Sequence, residues 1–319
     1  MKKATKVWIT AGALVLLGCI VFVCIMCALQ WDFTRLSTTK YETNITEIDE
    51  TFNNIYISSD SADVTFVLSD DGTCRVVCYE DEKAGHAVTV ENNTLTVRVD
   101  NRKAWYDYIG FHFGTQKITV YLPKTEYDAL SVIGRTGNAE IPRDFSFLRA
   151  DLSRTTGNIA FYASVSEAVK IETRSGGVRM ENTSVGSLAV SATTGTINLS
   201  GVTCRGDMTA DVSSGQVYLT DIACDSLVSG GSTGDVVLSR VIVRGRLSVE
   251  RSTGNVSFDG SDAAGIYVKT STGNVTGRLL TGKIFVTDTS TGQVHVPKTT
   301  TGGTCEIKTG TGNITITVP

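Results

Sequence analysis

Residues 252–258 read STGNVSF, and residues 271–277 read STGNVTG. The same signal occurs as RTGNAEI (135–141), TTGNIAF (155–161), RSGGVRM (174–180), TTGTINL (193–199), SSGQVYL (213–219), STGDVVL (232–238), STGQVHV (290–296) and GTGNITI (310–316). Its glycines are Gly137, Gly157, Gly176, Gly195, Gly215, Gly234, Gly254, Gly273, Gly292 and Gly312, spaced 19 or 20 residues apart throughout. A fixed period of that length over ten copies is the mark of a solenoid.

Within each copy the side chains alternate with period two, which identifies strands. Two residues after the glycine stand Ile159, Val178, Ile197, Val217, Val236, Val256, Val275, Val294 and Ile314, with Ala139 in the first copy. Four residues after it come mostly large apolar groups, such as Ile141, Phe161, Leu199 and Phe258. A second apolar alternation precedes the turn, as in Leu130 and Val132 or Leu247 and Val249. The reading is an all-β, single-stranded β-solenoid of about ten 19–20-residue coils over residues 124–319. Coils stacked about 4.8 Å apart pair each strand with its copies above and below, giving a rod of roughly 48 Å. The residue before each glycine is Thr or Ser in all ten copies, which predicts a ladder of stacked hydroxyls. Asn138, Asn158, Asn255, Asn274 and Asn313 follow the glycine and predict partial amide ladders.

Working outward, residues 52–123 keep the alternation but lose the period. The piece SSDSADVTF (58–66) resembles a degenerate copy of STGNVSF. A solenoid needs an atypical end to close its stack, so residues 52–123 are read as an irregular β-rich N-terminal cap. One insertion interrupts the cap: AWYDYIGFHFG, 104–114, with Trp105, Tyr106, Tyr108, Phe111 and Phe113. An aromatic loop of this kind suits contact with a glycan, a lipid headgroup or a protein, or folds back as a lid over the first coil. At the far end the chain stops at Pro319 without a cap, so an open strand edge and end-to-end self-association are expected there.

Residues 30–51 are polar and threonine-rich and read as a stalk. Before them, residues 7–29 are 23 consecutive positions without a charge, enough to span a membrane as one helix. Lys2, Lys3 and Lys6 precede this span, which places residues 1–6 in the cytoplasm and the remainder outside. An uncleaved signal anchor is the leading reading. A cleaved signal peptide, or a lipoprotein using Leu16-Leu17-Gly18-Cys19, is the alternative, although the chain stays apolar well beyond Cys19.

The chain has 319 residues and a net charge of −4; without the three leading lysines it carries 26 basic against 33 acidic residues. That balance excludes nucleic acid as the main partner. Of eight cysteines, Cys19, Cys24 and Cys27 lie in the apolar span. Cys74 and Cys78 form a C-x3-C spacing that is a weak zinc signal, and they stand too far apart along a strand for a disulfide. Cys204 and Cys224 each lie nine residues past their glycine, so adjacent coils bring them within disulfide range. Cys305 falls on an inward position. No phosphate-binding loop, dinucleotide fingerprint or catalytic-serine motif is present, and no cofactor is expected. Asp207, Asp211, Asp221, Asp225 and Asp235 form the densest acidic region, read as a solvated face without catalytic partners.

The N-terminal span, the strand-rich head ending in VYLP (120–123) and the repeated S-T-G-[NDQ]-V units together resemble a bacterial family of proposed adhesins, domain of unknown function 4097, over residues 50–319. The resemblance implies an extracytoplasmic β-solenoid with an adhesive role and, for some relatives, a link to envelope-stress responses. It carries no catalytic residues. The expected function is therefore a membrane-anchored surface protein binding a cell-wall polymer, a glycan or an envelope protein. A sensor or scaffold for membrane partners is the alternative, and a polysaccharide-active enzyme the remote one.

Overall fold

The computed structural model describes residues 3–32, 35, 39–108 and 114–319. Among these residues, a helix, Lys3–Ala28, precedes twenty-four strands that form a single continuous sheet. The sheet winds because each coil turns at its S/T-G element, and each half-coil pairs in parallel with its counterpart in the next. Ile159 lies opposite Ala139 and Val178, and Leu188 opposite Val169 and Met208. The predicted inward positions, such as Leu199, Leu219, Leu238, Val249 and Val268, are fully buried. They merge into one apolar core running the length of the stack.

The turn edge is held by two sets of hydrogen bonds. The Gly254 N–H donates to the Thr272 carbonyl of the next coil at 2.9 Å, and this bond repeats along the stack. Beside it runs the amide ladder expected from the asparagines. Asn158 N–H donates to Asn138 Oδ1 (2.9 Å), Gly177 N–H to Asn158 Oδ1 (2.8 Å) and Asn274 N–H to Asn255 Oδ1 (2.9 Å).

The hydroxyl ladder differs from expectation. The Thr and Ser residues directly before the glycines point to solvent and, among the described residues, do not bond one another. The hydroxyls that bond stand three residues before the glycine, where they face the interior. Thr270 Oγ1 donates to the Gly254 carbonyl (3.1 Å), and Thr309 Oγ1 to that of Gly273 (3.0 Å). A buried hydroxyl must find a partner, whereas an exposed one has water. The same inward column holds two arginines, Arg154 and Arg251, that alternation alone did not reveal. Each is about 2–3% exposed, and burial pulls the Arg154 guanidinium down to about 10. Arg154 lies over Gly134, whose missing side chain makes room for it, and donates to Ser59 Oγ at 3.0 Å.

The cap is a rearranged solenoid end. Strands β2 (Asn54–Ser59) and β3 (Ala62–Leu68) form a true coil, in parallel register with β8 (Glu126–Thr136) and β9 (Ala139–Ile141). Ala62 and Asp63 take the places of Gly137 and Asn138, as the degenerate SSDSADVTF copy implied, and Asp63 Oδ1 starts the amide ladder by accepting from Asn138 N–H (2.7 Å). Beneath this coil lie β6 (Thr94–Asn101) and β7 (Gln116–Leu122), also parallel to it. Three antiparallel strands then finish the end: β1 (Tyr41–Ile48), β4 (Cys74–Asp81) and β5 (Ala84–Glu91). The segment read as a stalk thus contributes β1, which pairs with β4 over eight residues and buries Ile48.

The opposite end corrects the expected order. The final coil, Gly303–Thr317, inserts between the coil of Gly273 and that of Gly292: Cys305 lies opposite both Ile266 and Phe285. The amide ladder follows space and not sequence, passing from Asn274 to Asn313 and then to Gln293. The open edge is therefore the strand Lys283–Thr291, with Ile284 and Val286 exposed, and not the residues before Pro319.

This order has a direct consequence. In the full chain, Asp288→Cys with Lys308→Cys should oxidise to a disulfide, because these residues face outward on adjacent strands about 4.8 Å apart. Lys269→Cys with Asp288→Cys should not, since the inserted strand separates them. Non-reducing electrophoresis after proteolysis distinguishes the pairs, and the reverse pattern would restore sequential stacking.

Candidate interaction surface

At the end of β6 the chain leaves the coil where each regular coil has its tight S/T-G turn, and it re-enters at β7. The insertion opens with a 3-10 turn, Trp105–Tyr108. Asp107 fixes it: one carboxylate oxygen accepts from Lys83 Nζ at 2.5 Å and the other from Ala104 N–H at 2.9 Å. The Lys83 hydrogen bond, and then the Ala104 amide, hold the Asp107 carboxyl below the ordinary carboxylate range. Trp105 and Tyr106 meet edge to face with ring centroids 5.9 Å apart. They are 76% and 58% exposed, so this part of the insertion presents its rings to solvent instead of folding over the coil. Tyr108 ends the turn, and Phe111 and Phe113 lie outside the described residues.

The turn sits on a polar floor. Asp81, almost fully buried, pairs with Lys103 Nζ at 2.5 Å and accepts the Lys83 N–H at 2.9 Å. A cavity of about 280 Å³ opens there, lined by Thr39, Lys40, Asp81, Lys83, Lys103 and Asp107. Tyr41 stacks on Tyr79 (centroids 5.3 Å apart), and its phenol pKa is raised by burial and by Asp81. Among the described residues one trio of side chains, Cys78, Glu80 and His86, gathers atoms able to ligate a metal. Cys74 is not part of it, so C-x3-C was not the relevant spacing. The usable signal was alternation: Cys74, Val76, Cys78 and Glu80 all face inward on β4.

The carboxylates of the acidic face are each held by a neighbour in an adjacent coil. Asp221 accepts from Arg240 Nε and Nη2 at 2.6 and 2.8 Å, and Asp225 pairs with Arg244. Asp207 accepts from Ser226 Oγ at 2.5 Å, Asp211 from Gly230 N–H at 2.6 Å and Asp235 from Asn255 N–H at 2.7 Å. For two of the five, Asp221 and Asp225, the next coil supplies an arginine partner. Arg240 holds Asp221 below its ordinary range, the opposite of what a general acid needs.

Cys204 and Cys224 face the interior of adjacent coils, as predicted, and both are free thiols. Cys204 Sγ is directed at the carbonyls of Gly186, Gly206 and Asp207, at 3.4–3.5 Å. Burial pushes the thiols of Cys74, Cys78, Cys224 and Cys305 up to about 12. At pH 8 these groups are both inaccessible and protonated, so the folded chain, with Cys19, Cys24 and Cys27 on the apolar helix covered by detergent, should not react with a polar thiol reagent, whereas the unfolded, unreduced chain should react at all eight cysteines. Six reactive thiols after unfolding would mean that Cys204 and Cys224 have joined.

Among curated proteins, none matches the sequence. In structure the chain is similar to a proposed lipid-binding protein of Parabacteroides distasonis ATCC 8503, with 16% identity, 73% of this chain and 96% of that one covered, and a TM-score of 0.51. It is also similar to proposed adhesins of Parabacteroides merdae ATCC 43184 (14% identity, 87% and 96% covered, TM-score 0.48) and Bacteroides fragilis NCTC 9343 (14%, 88% and 99%, 0.46). At these identities the likeness concerns the fold. The sequence profile of the Toastrack DUF4097 family matches residues 52–210 and again 203–319, nearly all of the chain beyond its apolar helix. The chain is a member of the Toastrack DUF4097 family, a β-solenoid that follows one helix long and apolar enough to cross a membrane.

Proposed function

We propose that this protein is a membrane-anchored, extracytoplasmic solenoid that binds a component of the bacterial envelope through the aromatic turn of its cap. The anchor is the apolar stretch Lys6–Ala28, of mean hydropathy 2.8, with the basic residues at its start on the cytoplasmic side. The observation that carries the binding reading is the exposed pair Trp105 and Tyr106, locked by Asp107 where the chain between β6 and β7 replaces a tight turn with a long insertion. A rigid exposed tryptophan keeps a large apolar face ready for contact at little entropic cost. Flat aromatic faces suit sugar rings, and the outer part carries a net −7, which disfavours polyanionic polymers. A neutral stretch of wall glycan therefore fits best. The unpaired edge Lys283–Thr291 supports end-to-end association of such rods.

Co-sedimentation of the detergent-solubilised full chain with isolated wall sacculi tests this reading. Saturable binding is expected. Trp105→Ala should weaken it by about 2 kcal/mol, roughly thirtyfold. Binding that is absent, or that is indifferent to Trp105, would move the function to a protein partner in the membrane.

A further inference from the structure

The interior of the cap contains a polar group that the adhesive reading does not use. Strands β4 and β5 meet at a sharp corner, with Asp81 opposite Ala84. That corner brings Cys78 and Glu80 of β4 against His86 of β5. One ligating atom from each lies within 4.8 Å of the other two. The Glu80 and His86 side chains are only 3% and 1% exposed. Glu80 Oε1 accepts from Asn44 Nδ2 at 2.8 Å, and Glu80 Oε2 lies 2.7 Å from His86 Nδ1. His86 Nε2 is buried without any partner. A histidine kept only to neutralise a buried carboxylate would have its second nitrogen satisfied as well, since buried polar atoms are almost always bonded.

We propose that Cys78, Glu80 and His86 form a binding site for a divalent transition-metal ion of the zinc class. The donor set argues for that class. Calcium and magnesium take oxygen ligands, copper(I) prefers sulfur alone, and a thiolate with an imidazole and a carboxylate is a zinc combination. Three protein ligands leave a fourth position for water. Tetrahedral ligands at zinc distances stand roughly 3.5 Å apart, within reach of small side-chain shifts for atoms that already lie within 4.8 Å of one another. Access exists: Glu80 and His86 line a cavity of about 170 Å³ whose wall also carries Glu42, Glu82 and Asp100, opposed by Lys83 and Arg102. The carboxylates outnumber the cations there and favour a positive guest. Gly85 belongs to the same design, because a Cβ on it would stand 2.9 Å from Glu80 Oε1 and crowd the carboxylate.

The test uses the full chain in detergent with Cys19, Cys24 and Cys27 replaced by Ala, stripped with chelator and titrated with Co²⁺. A thiolate-to-cobalt charge-transfer band should grow to one equivalent and vanish on adding Zn²⁺. Cys78→Ser should abolish the band, Cys74→Ser should leave it, and His86→Gln should lower the Co²⁺ affinity about tenfold or more. No band in the parent chain, or a band that survives Cys78→Ser, overturns the proposal. A measurement independent of how the variants fold is the thermal midpoint of the parent chain, which should rise with Zn²⁺ and not with Mg²⁺; an unchanged midpoint likewise overturns it.

Discussion

Each regular coil turns at a glycine with φ between +111° and +157°, seated directly on the turn of the coil beneath. The region favours glycine on backbone grounds alone, but the tighter limit is steric. A Cβ on Gly157, Gly176, Gly195 or any later turn glycine would collide with the carbonyl oxygen of the turn glycine below it. Close approach of turn to turn keeps the strands at hydrogen-bonding distance on both sides of the corner. It also sets the spacing at which the amide ladder and the inward threonines reach their acceptors. Without it the two half-coils could not be in register with their neighbours at once, and the buried aliphatic columns would lose their contacts.

That constraint explains how much of the architecture was legible. The ten glycines, the alternation around them and the Asn-to-Asn ladder followed from the sequence because each obeys a short local rule repeated at a fixed interval. The degenerate first coil was legible for the same reason, with Asp63 doing for Asn138 what each asparagine does for the next. Three features obeyed no local rule. Inserting Gly303–Thr317 between earlier coils changes none of the periodicity, since every coil offers the same edge to either neighbour. Only the order of hydrogen bonds reveals it. The hydroxyl ladder failed because side-chain identity marked the exposed column, whereas burial, which decides whether a hydroxyl must be satisfied, marked the column two residues earlier. The segment read as a stalk became β1 because an antiparallel partner, β4, offers it eight residues of pairing that no period announces.

The candidate surface divides in the same way. An aromatic run inside a cap is conspicuous in the sequence, and the structure adds why it is fixed: Asp107, Lys83 and the ion pair of Asp81 with Lys103 hold the turn from below. The cluster of Cys78, Glu80 and His86 was not read, since its members come from two strands that meet only after the cap folds. Both features sit at the one end of the rod where the glycine turn has been replaced. The cap has been released from the glycine-on-glycine contact that fixes the turns of the regular coils.

The central claim is that turn-on-turn contact at glycine holds the stack together, and a pair of alanine substitutions tests it. Gly254 sits against the carbonyl of Gly234 at φ +153°, whereas Gly265 lies in a strand with only one atom, 4.0 Å away, near the site of its absent Cβ. Urea unfolding of the full chain should show Gly254→Ala destabilised by at least about 3 kcal/mol, and Gly265→Ala within about 1 kcal/mol of the parent. Equal, small effects at both positions would contradict the account.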